Sequence, residues 1–358
     1  MPADLEDLKN AIADPVGVRS VVLTGLFVLA CLYTLYFARD FFLPVIIALF
    51  LSFLLWPIVR GLAAIRIPEP AGAGLVLLTA FAIVGFAGYE LSGPVSEWLD
   101  RVPDLAQKIQ RQVRDVRRPV EQVTKATERL TNATAPSGAP AKVEIQKPSL
   151  AERLFVHTWD FGVALMVVVV LLYFLLASGD LFLRKLIKVL PRFDDKKRAV
   201  QIAREIETSI SRYLLTQALI NTALGTAGGI AFWLLGMPNP ALWGVLGAVL
   251  NFIPYLGALT TIGTVFLVAA ATFPTLAQAA LPPAAYLGLA TLEGTFITPL
   301  IMGHRLMLNP VVVFVGLTFW GWLWGIPGAL LAVPMLVMFK IFCDHIEPLA
   351  PIAEFLGK

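Results

Sequence analysis

Long apolar runs separated by short polar breaks dominate the chain, and the length of the runs is the first informative feature. Long, largely apolar runs cover Val18–Ala38, Phe41–Val59, Ala71–Glu90, Phe161–Ala177 (entered from about His157) and Tyr213–Gly236. Each is near the ~20 residues a helix needs to cross a hydrocarbon core about 30 Å thick. Two later blocks are too long for one straight span. Pro240–Phe273 breaks at Asn251-Phe-Ile-Pro-Tyr-Leu-Gly257, and Pro310–Phe342 breaks at Trp324-Gly-Ile-Pro-Gly328. Between them, Leu276–Met302 is one run with a single charged residue, Glu293. Both broken blocks open with Asn-Pro (Asn239-Pro240, Asn309-Pro310) and break at Ile-Pro (Ile253-Pro254, Ile326-Pro327), a weak internal repeat. The pattern predicts an all-α integral membrane protein of about eight membrane elements, two of them Pro/Gly-broken helical hairpins.

The polar segments give the map its direction. Residues 181–212 hold nine Lys and Arg, which predicts a cytoplasmic basic loop and a contact for anionic lipid. Counting spans from it puts residues 93–156 outside and both termini inside, with His304 and Arg305 cytoplasmic and the two broken blocks entering from opposite faces. In the external segment Val102, Leu105, Ile109, Val113, Val116, Val120 and Val123 recur at steps of three and four, an amphipathic helix interrupted near Pro119. Such a stripe needs a cover. It predicts a homo-oligomer with this helix at the contact; a lid and a membrane-surface helix are the other readings. Thr131–Ser149 reads as a flexible linker. The expected organisation is a cytoplasmic segment 1–17, three spans in 18–92, the external segment 93–156 and a fourth span in 157–180. The basic loop 181–212, a transport core 213–343 and a cytoplasmic tail 344–358 complete it.

Composition agrees. Hydrophobic residues make up 58% of the 358 and charged residues 15%, against about a quarter charged in a soluble domain. The mean hydropathy is +0.77. A net charge of +3 needs no nucleic-acid partner, because the basic residues sit where a membrane protein needs anchors. Cys31 and Cys343 make no disulfide framework. Met1–Arg19 has no basic region leading to a cleavage site, so the first apolar run is expected to be a retained span.

Candidate chemistry is sparse. His157, His304 and His345 give no metal-ligand spacing, and no Gly-x-x-x-x-Gly-Lys-Ser/Thr loop is present. The expectation is a non-enzyme without cofactor, in which active transport draws on a gradient. Glu293 is the sharpest signal, since an acid inside a span is costly unless it is paired or solvated. It binds a cation, a proton or a polar solute, or else it is a protonated carboxyl that ties helices together. Gln217, Asn221, Gly225 and Gly229 fall at steps of four on one stripe. The glycines suit close packing; for Gln217 and Asn221, packing and pathway are both open. The Pro/Gly breaks matter because irregular backbone inside a membrane must be buried in protein or line a wet cavity. Asn251, Pro254, Tyr255 and Gly257, with Thr298, Pro299, Asn309 and Pro310, are the candidate lining for a small polar solute and a coupling sodium ion or proton.

Five motifs together resemble the autoinducer-2 exporter family of bacterial inner-membrane permeases. They are Phe42-Leu-Pro-Val-Ile-Ile-Ala-Leu-Phe50, the break at Asn251–Gly257, Glu293-Gly-Thr-Phe-Ile-Thr-Pro-Leu-Ile-Met-Gly303, Leu308-Asn-Pro310 and Trp324-Gly-Ile-Pro-Gly-Ala-Leu-Leu-Ala-Val-Pro334. The resemblance covers most of the chain outside 100–150. It implies a secondary transporter that exports a small polar molecule such as a furanone-derived quorum signal. Other members resemble sodium(lithium)/proton antiporters. A non-transporting membrane scaffold is the third expectation, and it would tolerate loss of Glu293.

Overall fold

The structure, a computed structural model, describes residues 15–98, 100, 150–189, 192–302 and 308–357. The expected external helix 102–123, the linker to Ser149 and His304 lie outside these residues. Eleven helices are described: α1 (Pro15–Phe37), α2 (Arg39–Ala64), α3 (Glu69–Trp98), α4 (Leu150–Ser178), α5 (Leu181–Val189), α6 (Phe193–Leu234), α7 (Pro240–Leu250), α8 (Leu256–Thr272), α9 (Leu276–Met302), α10 (Pro310–Asp344) and α11 (Ala350–Leu356). There is no strand among the described residues; one isolated bridge joins Leu308 to Gly357. The chain is an all-α membrane protein.

Among the described residues, five helices are long and apolar enough to cross a bilayer: α2, α3, α4 from Phe161, α9 and α10. Helices α7, α8 and the described apolar part of α1 are shorter apolar helices, and the fifth expected run is the apolar end of α6. Protein covers little of the spans. In α9 only 6% of the apolar window is buried, and Leu300 is 85% exposed. Surface of this kind is stable against lipid, not water.

Several boundaries differ from expectation. Most of the described part of 181–212 is helical rather than a loop: α5 covers Leu181–Val189, and the basic stretch from Phe193 runs without a break into the apolar end of α6. Its Lys, Arg, Gln and Glu residues are good helix formers, so a polar sequence need not be an irregular one. Helix α3 continues past residue 92 to Trp98, and α4 begins at Leu150, ahead of the expected entry at His157. Pro44 sits in the second turn of α2, which begins at Arg39. The C-terminal tail is folded: Ala353 and Leu356 of α11 are buried, and the Asn309 N–H donates to the Leu356 carbonyl at 3.2 Å.

The chain divides into two units. The first comprises residues 1–77, 161–219 and 296–358. One of its cores gathers Phe50, Ile210, Tyr213, Leu323, Trp324 and Val333; another gathers Ala48, Val59, Ala73, Leu172 and Leu176. The Trp324 indole N–H donates to the Leu35 carbonyl at 3.1 Å. In this unit α10 is a hairpin. Gly325, at φ 67° and ψ −145°, leaves helical geometry, a conformation open to glycine and costly for other residues. The chain then returns on itself, with Gly316 against Leu336 and Gly328 against the Trp320 carbonyl.

The second unit comprises residues 78–160 and 220–295. Its core is Trp98, Leu224, Phe232, Met237, Trp243, Val265, Val268 and Tyr286. Trp98 meets Trp243 edge-on at 5.4 Å, and the Trp243 indole N–H donates to the Pro238 carbonyl at 3.0 Å. Helices α7 and α8 form the other hairpin, and α9 packs back along α8.

Candidate functional site

Small residues let α6 and α7 approach until backbone meets backbone. A Cβ placed on Gly225 would fall 2.6 Å from the Gly244 carbonyl oxygen and 2.6 Å from the Ala248 Cβ. Contacts of this closeness are the reason glycine stands at membrane helix crossings. Gly229 lies against Pro240 and Gly244, so the two helices run antiparallel. One turn from Gly225, Asn221 is only 1% exposed, and its Oδ1 accepts a 3.0 Å hydrogen bond from Asn251 Nδ2. The glycine crossing thus sets the register that joins two amides thirty residues apart in sequence.

Asn251 closes α7, and the chain leaves helical geometry from there to Tyr255. Pro254 brings no N–H to the turn. Tyr255 holds φ 63° and ψ −53°, a region that side-chain-bearing residues rarely occupy. Strain of this kind persists only where the surroundings enforce it, and it gathers at functional sites. The Ile253 N–H donates to Leu250 O at 2.9 Å and the Gly257 N–H to Ile253 O at 2.9 Å. Gly257 itself lies against the Leu250 carbonyl. The buried Thr261 hydroxyl donates to the Gly257 carbonyl at 2.9 Å. The break is a built turn with its own hydrogen bonds.

Helix α9 meets α6 and α7 through Tyr286, which is fully buried. Its ring stacks on Phe232 at 6.0 Å and lies against Gly228 and Gly247. Because α8 packs back along α7 and α9 back along α8, α7 and α9 point the same way. From Gly247 to Asn251 the helix rises about 6 Å, and from Tyr286 to Glu293 about 10 Å. The register therefore brings Glu293 level with the break at Asn251–Tyr255. There α9 changes pitch: Glu293–Ile297 form a π-helical turn, and the α-helix resumes at Thr298. Single π turns inside α-helices recur at functional sites. Glu293 is partly buried.

The other candidates belong to the first unit. Gln217 is partly buried on α6; Thr298 and Pro299, also partly buried, follow the π turn. The Asn309 side chain is occupied at the start of α10, where its Oδ1 accepts from the Val311 N–H at 2.9 Å, and Pro310 is the first residue of that helix. This is an N-cap. Asn239, its counterpart before α7, has left-handed backbone and makes no such cap. The structure thus brings together Asn221, Asn251, Pro254, Tyr255 and Gly257, with Glu293 at their level. Tyr286 is missing from the candidates drawn from sequence. Its signal was there: a tyrosine seven residues before an intramembrane acid lies on the same helix face.

Comparison with known proteins follows the same line. A family model described as AI-2E family transporter matches residues 26–347. The AI-2 transport protein TqsA of Escherichia coli (strain K12) is 26% identical over 341 residues, 92% of this chain and 92% of its own. YrrI of Bacillus subtilis (strain 168) is 28% identical over 86% of this chain and 87% of its own. YueF of the same organism is 24% identical over 89% and 87%.

Proposed function

The chain belongs to the AI-2E transporter family, a membrane transport role goes with that membership, and from this premise we propose that it exports a small polar molecule of the autoinducer-2 type. The movement is alternating access without ATP. The protein resides in the bacterial inner membrane with both termini cytoplasmic. Glu293 is the residue that couples an ion or meets the polar solute. Asn251, Pro254, Tyr255, Gly257 and Asn221 form the nearby lining. One observation carries this reading: the only charged residue of α9 opens a π turn level with a strained, non-helical break whose amide is tied to Asn221. The name of TqsA supports the solute class. A titratable group at that position equally suits sodium(lithium)/proton antiport, so the experiment must separate the two.

Flux into proteoliposomes, with an autoinducer-2 panel and with sodium or proton gradients, is measured for the wild type and Glu293→Gln. The substitution keeps size and hydrogen bonding and removes the titratable charge. Flux is expected to fall at least about tenfold while expression and thermal stability stay near wild type. Gradient-driven cation flux without organic solute would move the assignment to antiport. Wild-type flux in Glu293→Gln across a wide pH range would remove Glu293 from the mechanism and favour a scaffold.

A further inference from the structure

An open cavity of about 440 Å³ lies in the first unit between the C-terminal end of α2 and the middle of α6. Its lining is rich in donors. Arg60 comes from α2 and Arg212 from α6, and α6 adds the hydroxyls of Thr208 and Ser211, the latter only 6% exposed. Arg60 lies over the Trp56 ring at 5.9 Å. Trp56 also lines the cavity, and its buried indole N–H finds no acceptor among the described residues. One acidic residue faces this set: Glu207, whose Oε1 stands 4.0 Å from an Arg60 nitrogen, at the limit of an ion pair. The remaining wall is Pro57, Leu215, Thr216 and Leu219, apolar but for the Thr216 hydroxyl, and Leu219 is 71% exposed.

Guanidinium groups with hydroxyl and indole donors match the oxygens of a phosphate. A soluble phosphate ester has no use for an apolar wall that opens on a lipid-facing surface. A phospholipid does, since its acyl chain continues from its headgroup. Basic pockets between membrane helices hold anionic headgroups for this reason. We propose that this cavity binds the phosphate headgroup of an anionic membrane lipid, clamped between Arg60 and Arg212, with its chain running along Leu219. Glu207 opposes the ligand, because its ionised carboxylate competes for Arg60.

The test uses the purified full chain, native mass spectrometry and defined lipids. One phosphatidylglycerol per chain is expected to stay bound at concentrations where phosphatidylcholine does not. Arg60→Gln with Arg212→Gln should weaken retention at least about tenfold. Glu207→Gln should strengthen it several-fold, a gain that misfolding cannot mimic. Lys188→Gln on α5 controls for the loss of any one positive charge and should leave retention unchanged. Equal retention of the two lipids, or a double arginine variant that binds as the wild type does, would overturn the proposal. So would a Lys188→Gln loss as large as that of the arginines. Displacement of the lipid by equimolar glycerol phosphate would instead assign the cavity to a soluble phosphate ester and sink the lipid source.

Discussion

Glu207 shows how a single side chain on a membrane protein can oppose the fold that holds it. It is 20% exposed, with Arg60 at 4.0 Å. Burial raises its carboxyl pKa above the ordinary value and Asp180 adds to the rise, while Arg60 and Arg204 act against it. The folded protein therefore keeps a proton there at a pH where the unfolded chain has lost it. Stability from this group is full below the ordinary carboxylate value and is lost as pH rises through the raised folded value. Glu207→Gln is expected to melt on the order of 1–3 °C higher than wild type at pH 8. The difference should shrink as the pH falls toward the ordinary carboxylate range. Thermal melts of both proteins in mild detergent, run as a pH series, read it directly; a variant less stable at pH 8 would refute it. Single residues were legible in the sequence where a residue type contradicts its surroundings, as Glu293 does in α9. They were not legible where the meaning lies in a pairing. Asn221 and Asn251 each stood out, but their bond depends on the α6–α7 register. Arg60 and Glu207 are 147 positions apart and meet only through the fold.

At the level of elements, the two hairpins are the part that pattern conveyed best. Pro and Gly inside an apolar block too long for one span leave few alternatives to a reversal, and both breaks fall where those residues stand. What pattern could not convey is that a polar, basic stretch continues as helix, because charge marks the side of the membrane and not the backbone conformation. The α6–α7 crossing makes a sharp prediction. In Gly225→Ala the new methyl collides with the Gly244 carbonyl and Ala248, so stability in detergent should drop by about 1–3 kcal/mol. Gly263 on α8 has nothing within 4 Å of a built Cβ, so Gly263→Ala should be neutral or stabilise by about 0.4–1 kcal/mol. Equal melts for the two variants would mean that the crossing is not as close as described.

The whole molecule can take one of two orientations in the bilayer. The basic residues of 181–212 predict that reporters fused at about Ser137 respond as outside and those at about Lys197 as inside. Cysteine labelling that finds both on one face would reverse or discard the map. Membrane class could be read from run length, because it follows from the solvent the chain must meet, and the transport role from the motifs that carry the family resemblance. The division into two units could not, since it depends on contacts between segments far apart in the chain. The continuity of α6 carries a mechanical consequence. From Lys197 to Gln217 the helix is unbroken, a rod about 30 Å long. No hinge separates its charged end from the apolar end, so the rod acts as a lever: a tilt of about 10° at one end displaces the other by about 5 Å. A load on the charged end is thereby felt at the apolar end without an intervening joint to absorb it.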